Sequence, residues 1–265
     1  MSSFTQPAIS SVFFIIADIS RRSASGATRR YYPFSALRRG GRHDVSFTEA
    51  AGASSRWRVQ MPGLDWNAIE AARLVRDPFD HVAIAQVLDP QCAAAIPGEF
   101  PVIRSPGSYS LADAPPGPFL NTLIDDLLSD RFRAHMARLF EVDLQDRPAS
   151  VTLRGQCSGR DGRIHIDSKS KVLSLLIYLN DGWTGGQGQL RLLADRHGFD
   201  DATVEIPASL GSMVAFRRGD QSWHGHSPFV GQRRALQFNY LQSQRASVVG
   251  LLRHRLSAFG KQLVA

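Results

Sequence analysis

The sequence predicts a mainly β protein: a jelly-roll barrel with a helical layer on its N-terminal side and a C-terminal helix that closes it. Three observations predict this. After Pro148, short runs rich in β-branched and apolar residues recur, separated by the turn-forming stretches "SGRDG", "NDGWTGGQG" and "PASLG". Before it, "PFLNTLIDDLLSDRFRAHMARLFEVDL" places apolar residues at i, i+3 and i+4. Beyond residue 244, "RASVVGLLRHRLSAFGKQL" returns to the same helical spacing. The length of 265 residues is enough to bury one catalytic core with terminal additions.

The elements follow in chain order. Residues 1–60 keep neither a 3.6 nor a 2.0 hydrophobic period, and they are read as a basic extension outside the folded domain. A disordered tail, or an over-called start with Met61 as the true one, is preferred to a transit-type presequence, whose Arg- and Ser-rich composition it shares. Residues 61–148 form the helical support region. Asp65 is placed to cap a short helix carrying Trp66, Ile69, Ala72 and Leu74. "DHVAIAQVL" is a short β-rich run between Pro78 and Pro90, residues 104–118 read as loop, and helices are expected over Phe119–Leu128 and Arg131–Phe140. The barrel spans 149–243. Its expected strands are Val151–Gly155, Arg163–Ile166, Val172–Leu179, Gln189–Leu193, Thr203–Ile206, Ser212–Phe216 and Arg234–Leu241. The closing helix takes 244–265.

Charge excludes one class of partner. The chain carries a net +7, but residues 1–60 hold nine arginines against three acids. That segment accounts for +6, leaving +1 for residues 61–265, so the folded part has no electrostatic claim on nucleic acid. Cys92 and Cys157 stand far apart with no ligand spacing, which excludes a disulfide framework or a Cys-rich zinc site. The longest apolar run, Val12–Ala17, is far short of the ~20 residues of a spanning helix, so no membrane segment is expected. A reducing cytoplasm is the expected setting.

"RIHIDSKSK" sets His165 and Asp167 two residues apart, where side chains of a strand share a face. "SWHGHSPFVGQRRALQFNY" then offers a third nitrogen ligand, a Gly turn and a strand that opens with arginine. Two histidines and a carboxylate on one face of an octahedral ion select non-haem Fe(II) and leave three positions open. Those suit a chelating oxo-acid and dioxygen, and an arginine suits the far carboxylate of a dicarboxylate cosubstrate.

These residues resemble the 2-oxoglutarate/Fe(II) oxygenases of the prolyl hydroxylase type, whose fold is a double-stranded β-helix (a jelly-roll, cupin-like barrel). The resemblance runs from about Val151 to Leu241 and rests on "HID", on "LLIYLND-W", on "GGQGQLRLL", on "IPASLGSMVAF" and on "WHGHSPF--GQRRALQFNY". It implies that His165, Asp167 and His224 hold iron, since Pro228 and Arg233 stand four and nine residues beyond His224. It further implies that Arg233 binds the far carboxylate of 2-oxoglutarate and that Tyr178 adds a hydroxyl to it. His226 shares a face with His224 in an extended segment and stands as the alternative ligand, or as a residue near the substrate. Arg234 is the alternative to Arg233, since a spacing of ten occurs in some relatives.

The implied cofactors are Fe(II), 2-oxoglutarate and O2, with ascorbate as an addition. The implied reaction hydroxylates an unactivated C–H bond, prolyl or in a small metabolite, with release of succinate and CO2. A cupin-like metal enzyme without 2-oxoglutarate, or an inactive barrel serving as a binding module, are the competing readings. Trp223, Arg191 and Gln156 are candidates for substrate contact or for support of the ligands. For Trp223 and Gln156 a packing or solvated role is the plainer reading; Arg191 either lines the barrel mouth or sits on an exposed strand face. His43, His81, His135, His197 and His254 have no partner at metal spacing.

Overall fold

The computed structural model describes residues 62–243, Asp201 excepted. The basic segment and the expected closing helix lie outside the described residues. The first part alternates helices with short strands: α1 (Trp66–Ala71), β1 (His81–Ile84), α2 (Pro90–Glu99), β2 (Tyr109–Ser110), α3 (Pro118–Leu128) and α4 (Asp130–Leu139). Seven strands follow: β3 (Ala149–Cys157), β4 (Lys171–Tyr178), β5 (Leu190–Leu193), β6 (Ala202–Ile206), β7 (Met213–Arg217), β8 (Trp223–Gly225) and β9 (Gly231–Leu241). None of the described helices is long and apolar enough to cross a membrane.

Two antiparallel sheets result. The larger has the strand order β1-β7-β4-β9-β3-β2 and the smaller β6-β5-β8. The period-2 alternation of side chains splits the core between them. Leu153, Leu173, Leu175, Ile177, Leu236, Phe238 and Tyr240 leave the large sheet on the helical side and pack with Leu120, Leu123, Leu127, Phe132 and Met136. Tyr178, Val214, Phe216 and Ala235 leave it on the other side and meet Leu190, Leu192 and Ile206 of the small sheet. This is the expected mainly β, jelly-roll-like arrangement with a helical layer.

The helices are set by local chemistry. Asp65 caps α1 by accepting from the backbone N–H groups of Asn67 and Ala68 at 2.9 and 3.3 Å. In α3, Leu120, Leu123, Ile124 and Leu127 form the buried i, i+3, i+4, i+7 stripe. Asp126 in the same helix reaches back to the chain entry, accepting from Gly63 N at 2.7 Å and Leu64 N at 3.0 Å. Both residues are buried, so Asp126→Ala leaves two N–H groups without a partner. It is expected to cost about 1–3 kcal/mol in urea unfolding, with the metal chemistry unchanged.

Four elements differ from expectation. Arg163–Ile166 is not a strand: only His165 pairs, through an isolated bridge to His224. The segment instead curls so that Asp167 can turn back onto β4. Residues 90–99 are helical, where Pro90 had been read as a boundary. Asp89 caps that helix through Gln91 N, and Pro90 sits at its first turn, where a missing N–H costs nothing. The loop 104–118 contributes the two-residue β2, which pairs with β3. Trp223–Gly225, read as the lead-in to a turn, is a strand of the small sheet.

Candidate metal centre

Two histidines are brought together by direct pairing across two chain segments. The His165 amide donates to the His224 carbonyl at 3.0 Å and the His224 amide returns the bond at 3.0 Å. Directly opposed residues of a narrow antiparallel pair present their side chains on one side. The two imidazole centroids lie 4.4 Å apart. The close approach requires glycine: a Cβ on Gly225 would come within 2.6 Å of the Gly162 carbonyl oxygen. Gly162 itself has φ +83°, and a Cβ there would meet the His226 ring at 2.3 Å. Gly225→Ala is therefore expected to push the 162–165 segment off β8 and weaken divalent metal binding at least about tenfold, measured by Mn(II) titration.

Asp167 completes the set. One ligand atom from each of His165, Asp167 and His224 can lie within 4.8 Å of the others. Asp167 and His224 are buried, and His165 is exposed at the rim. Each histidine ties its Nδ1 to a backbone carbonyl, His165 to Arg163 at 2.7 Å and His224 to Ser222 at 2.9 Å. With Nδ1 protonated and donating, each Nε2 keeps its lone pair for a metal. The donor set and its tautomers fit a 2-His-1-carboxylate iron site.

The carboxylate is oriented by residues the motif did not flag. Lys171 Nζ pairs with Asp167 Oδ1 at 2.8 Å, and Ser174 Oγ donates to Oδ2. Burial alone would push the Asp167 carboxyl up; Lys171, His224 and Ser174 outweigh it and hold it down at about 2. Burial pushes His224 down to about 4, with Asp167 opposing and His165 adding to the fall. Both groups are thus in their ligating forms near neutral pH. The signal for Lys171 was present in "HIDSKSK": a cation four residues after the carboxylate, at the mouth of the next strand.

A second polar centre lies at the other end of β4, about 13 Å further along the strand at ~3.3 Å per residue. Arg233 is 5% exposed. Its Nη2 donates to the Tyr178 hydroxyl at 2.9 Å and its Nε to the Gly188 carbonyl at 2.7 Å. Burial raises the Tyr178 phenol despite Arg233, so the O–H is retained as a donor. Gly188 has φ +75°, which lets its carbonyl face the arginine. Arg234 points to the helical side, where it donates to the Pro97 carbonyl at 3.1 Å and lies 5.4 Å over the Phe100 ring. Asn180 joins the two strands: its Oδ1 accepts from Arg234 N at 2.6 Å and its Nδ2 donates to the Ala208 and Arg234 carbonyls.

The remaining candidates lie around these two centres. His226 is outside the metal-binding group of three. It is buried, its Nδ1 is tied to the Ser227 carbonyl at 2.9 Å, and its Nε2 lies 3.8 Å from Cys157 Sγ. Burial and then Arg233 push it down to about 4, which leaves it neutral. Arg191 pairs with Glu205 at 2.7 Å and reaches Ser227 Oγ at 3.4 Å. Trp223 is half-buried opposite Leu193, and Gln156 is half-buried opposite Gln232.

Residues 154–241 match the family described as the 2OG-Fe(II) oxygenase superfamily. No curated protein matches the chain. Among solved structures, a prolyl-4-hydroxylase from Pseudomonas putida is similar at 17% identity and a TM-score of 0.44, over 61% of this chain and 84% of that one. A prolyl 4-hydroxylase from Phytophthora capsici gives 19% and 0.42, over 61% of this chain and 58% of that one. A prolyl hydroxylase from Trichoplax adhaerens, solved with a hypoxia inducible factor peptide fragment, gives 16% and 0.43, over 63% and 86%. The matched segment begins within β3 and ends on β9, so it contains His165, Asp167 and His224, the Arg233–Tyr178 pair and strands β4 to β9, but not β1 or β2. On that match, residues 154–241 of this chain are similar to the 2OG-Fe(II) oxygenase superfamily.

Proposed function

We propose that the protein is an Fe(II)- and 2-oxoglutarate-dependent dioxygenase that hydroxylates an unactivated C–H bond, with His165, Asp167 and His224 as the iron ligands. The observation that carries this reading is the placement of the two histidines: both Nδ1 atoms lie within hydrogen-bond distance of backbone carbonyls, which leaves each Nε2 for a metal, and one ligand atom from each ring lies within 4.8 Å of Asp167. Iron held there supplies dioxygen activation coupled to oxidative decarboxylation of 2-oxoglutarate to succinate and CO2.

The protein's own residues do the rest. Arg233 and Tyr178 bind the far carboxylate of the cosubstrate, with Arg233 giving its charge and two fixed donors and Tyr178 its retained proton. Neutral His226 adds no competing charge beside them. Lys171 and Ser174 each hold one oxygen of Asp167, which fixes the plane of the carboxylate. Leu176, Val214 and Phe216 line the wall between the two centres and exclude water. The substrate is a small molecule or a peptidyl group that reaches the rim at His165, the exposed ligand.

The test is an anaerobic Fe(II) and 2-oxoglutarate titration, watched for the weak charge-transfer band near roughly 500 nm that a chelated open site gives. The band is expected in the wild type and lost in His165→Ala. Iron binding without the band would favour a cupin-like enzyme that does not use 2-oxoglutarate. Absence of iron binding would leave a binding module.

A further inference from the structure

The barrel wall beside Asp167 bears on what the substrate is, given the oxygenase reading above on which this inference rests. Strand register sets Ser174 of β4 against Asn239 of β9, and Asn239 against Ser150 of β3. The next row is Leu176, Gln237 and Thr152. Cross-strand partners share a face, so both rows lie on the face from which Ser174 reaches Asp167. On β4 and β7 this face is apolar except at Ser174, with Leu176, Tyr178, Val214 and Phe216 packed against the small sheet. On β9 and β3 it carries Ser150, Thr152, Gln237 and Asn239, and none of the four belongs to either apolar core. The reverse face of the same two strands is Val151, Leu153, Leu236, Phe238 and Tyr240, packed under the helices. Ser150 and Gln237 are partly exposed, but Thr152 and Asn239 are buried polar residues on this wall, and buried polar groups call for partners.

Asn239 makes the point sharper. It is 6% exposed, its amide nitrogen donates to Ser150 Oγ at 3.3 Å, and its Oδ1 has no partner among the described residues. Turning the amide over does not cure this, because the serine hydroxyl can serve either end and one polar atom is still left over. Buried polar atoms in native structures find partners, and one left without destabilises the fold. Arg233, on the same face, lies at its far end against Tyr178 and Gly188; the other two cations on this side, Arg154 and Lys171, are already paired with Asp161 and Asp167 at 3.2 and 2.8 Å. No formal charge is therefore on offer to an incoming group from either.

We infer that the inner face of β9 and β3 is a substrate subsite, in which the free end of the Asn239 side chain accepts a hydrogen bond from an uncharged N–H or O–H group of the substrate. Asn239 thereby selects hydrogen-bonding substrates over apolar ones of the same shape and holds the reacting carbon beside the metal.

The test uses the full chain, iron-free and loaded with diamagnetic Zn(II), and two probes of one size: N-methylacetamide and methyl acetate, which lacks the N–H. The side-chain amide signal of Asn239, identified by its loss in Asn239→Leu, is followed by NMR. N-methylacetamide is expected to shift it and to bind about tenfold more tightly than the ester. Asn239→Leu is expected to bring the two probes within about twofold and to melt at a higher temperature than the wild type. Equal binding of the probes by the wild type, or binding that leaves the Asn239 signal unmoved, would overturn the subsite. So would a lower melting temperature for Asn239→Leu, since the amide would then be satisfied within the protein. If Asn239→Leu does not fold, Asn239→Ala serves for the same comparison. Because the measurement needs neither iron nor 2-oxoglutarate, failure of the oxygenase reading shows in the charge-transfer titration and failure of the subsite shows here.

Discussion

Asp167→Ala is expected to lower Fe(II) affinity by more than about a hundredfold, beyond the 10- to 100-fold typical of losing a residue that merely supports a ligand. The carboxylate is the only anionic member of the metal-binding group, and it is held at about 2 by a local cation. Its removal takes away a ligand and leaves Lys171, whose side chain is 16% exposed, as an uncompensated positive charge beside the vacated position. That charge repels the incoming metal, so the loss exceeds that of a ligand alone. The double variant Asp167→Ala with Lys171→Met separates the two contributions: it should bind iron better than Asp167→Ala alone and still far more weakly than the wild type. Lys171→Met by itself should fall between, with about a tenfold loss. Metal content after equilibrium dialysis reads all three. Binding by Asp167→Ala at the wild-type level would remove Asp167 from the ligand set.

Arg233→Met is expected to raise the dissociation constant for 2-oxoglutarate about a hundredfold in the iron-loaded protein, with iron content unchanged. A charge-assisted bond to a buried group contributes ~1.5–3 kcal/mol, and Arg233 is aimed through Tyr178 and Gly188 so that its donors are preset. Arg234→Met is the matched control. It removes a contact with the Pro97 carbonyl and the Phe100 ring on the helical side, so it should lower stability by under about 1 kcal/mol and change cosubstrate affinity less than about twofold. A result in which Arg234 carries the affinity and Arg233 does not would reverse the assignment.

Why the sequence separates these two arginines is a matter of alternation. Leu236, Phe238 and Tyr240 form an apolar row that must face the helices, which leaves Arg233 on the opposite face with Ala235, Gln237 and Asn239. The strands of the large sheet were legible for the same reason, since a half-buried strand writes its orientation into every second residue. Elements held by few residues were not. Two-residue β2 and three-residue β8 are too short to show a period, and their pairing depends on β3 and β5, which are distant in sequence. Helix α2 buries only Cys92 and Ile96, so it has no apolar stripe, and its one readable sign was the Asp89–Pro90 start. The His165–Asp167 pair was found by residue type and spacing, but the reason offered, a shared strand face, was incomplete. His165 is set by its bridge to His224, and Asp167 by Lys171 and Ser174. The orphaned amide of Asn239 could not be read at all, because an unpaired atom is a property of packing.

The Asn180 clamp divides the barrel into two mechanical grades. At the Arg233 end, one side chain stitches β4, β9 and the approach to β7 with three hydrogen bonds inside a continuous sheet. At the iron end, the strip bearing His165 and Asp167 is held to β8 by three backbone bonds, from His165, His224 and His226. Opening the first requires breaking the sheet; opening the second requires peeling a short strip from β8 and releasing Asp167 from Lys171 and Ser174. The anvil is therefore built by folding, and on the proposed ligand set a metal would close the jaw, tying the strip to β8 through two ligands on one and a third on the other. Amide exchange at His165 and His224 should be fast in the metal-free protein and slow by orders of magnitude once the ion is bound, while Tyr178 and Arg234 stay protected throughout.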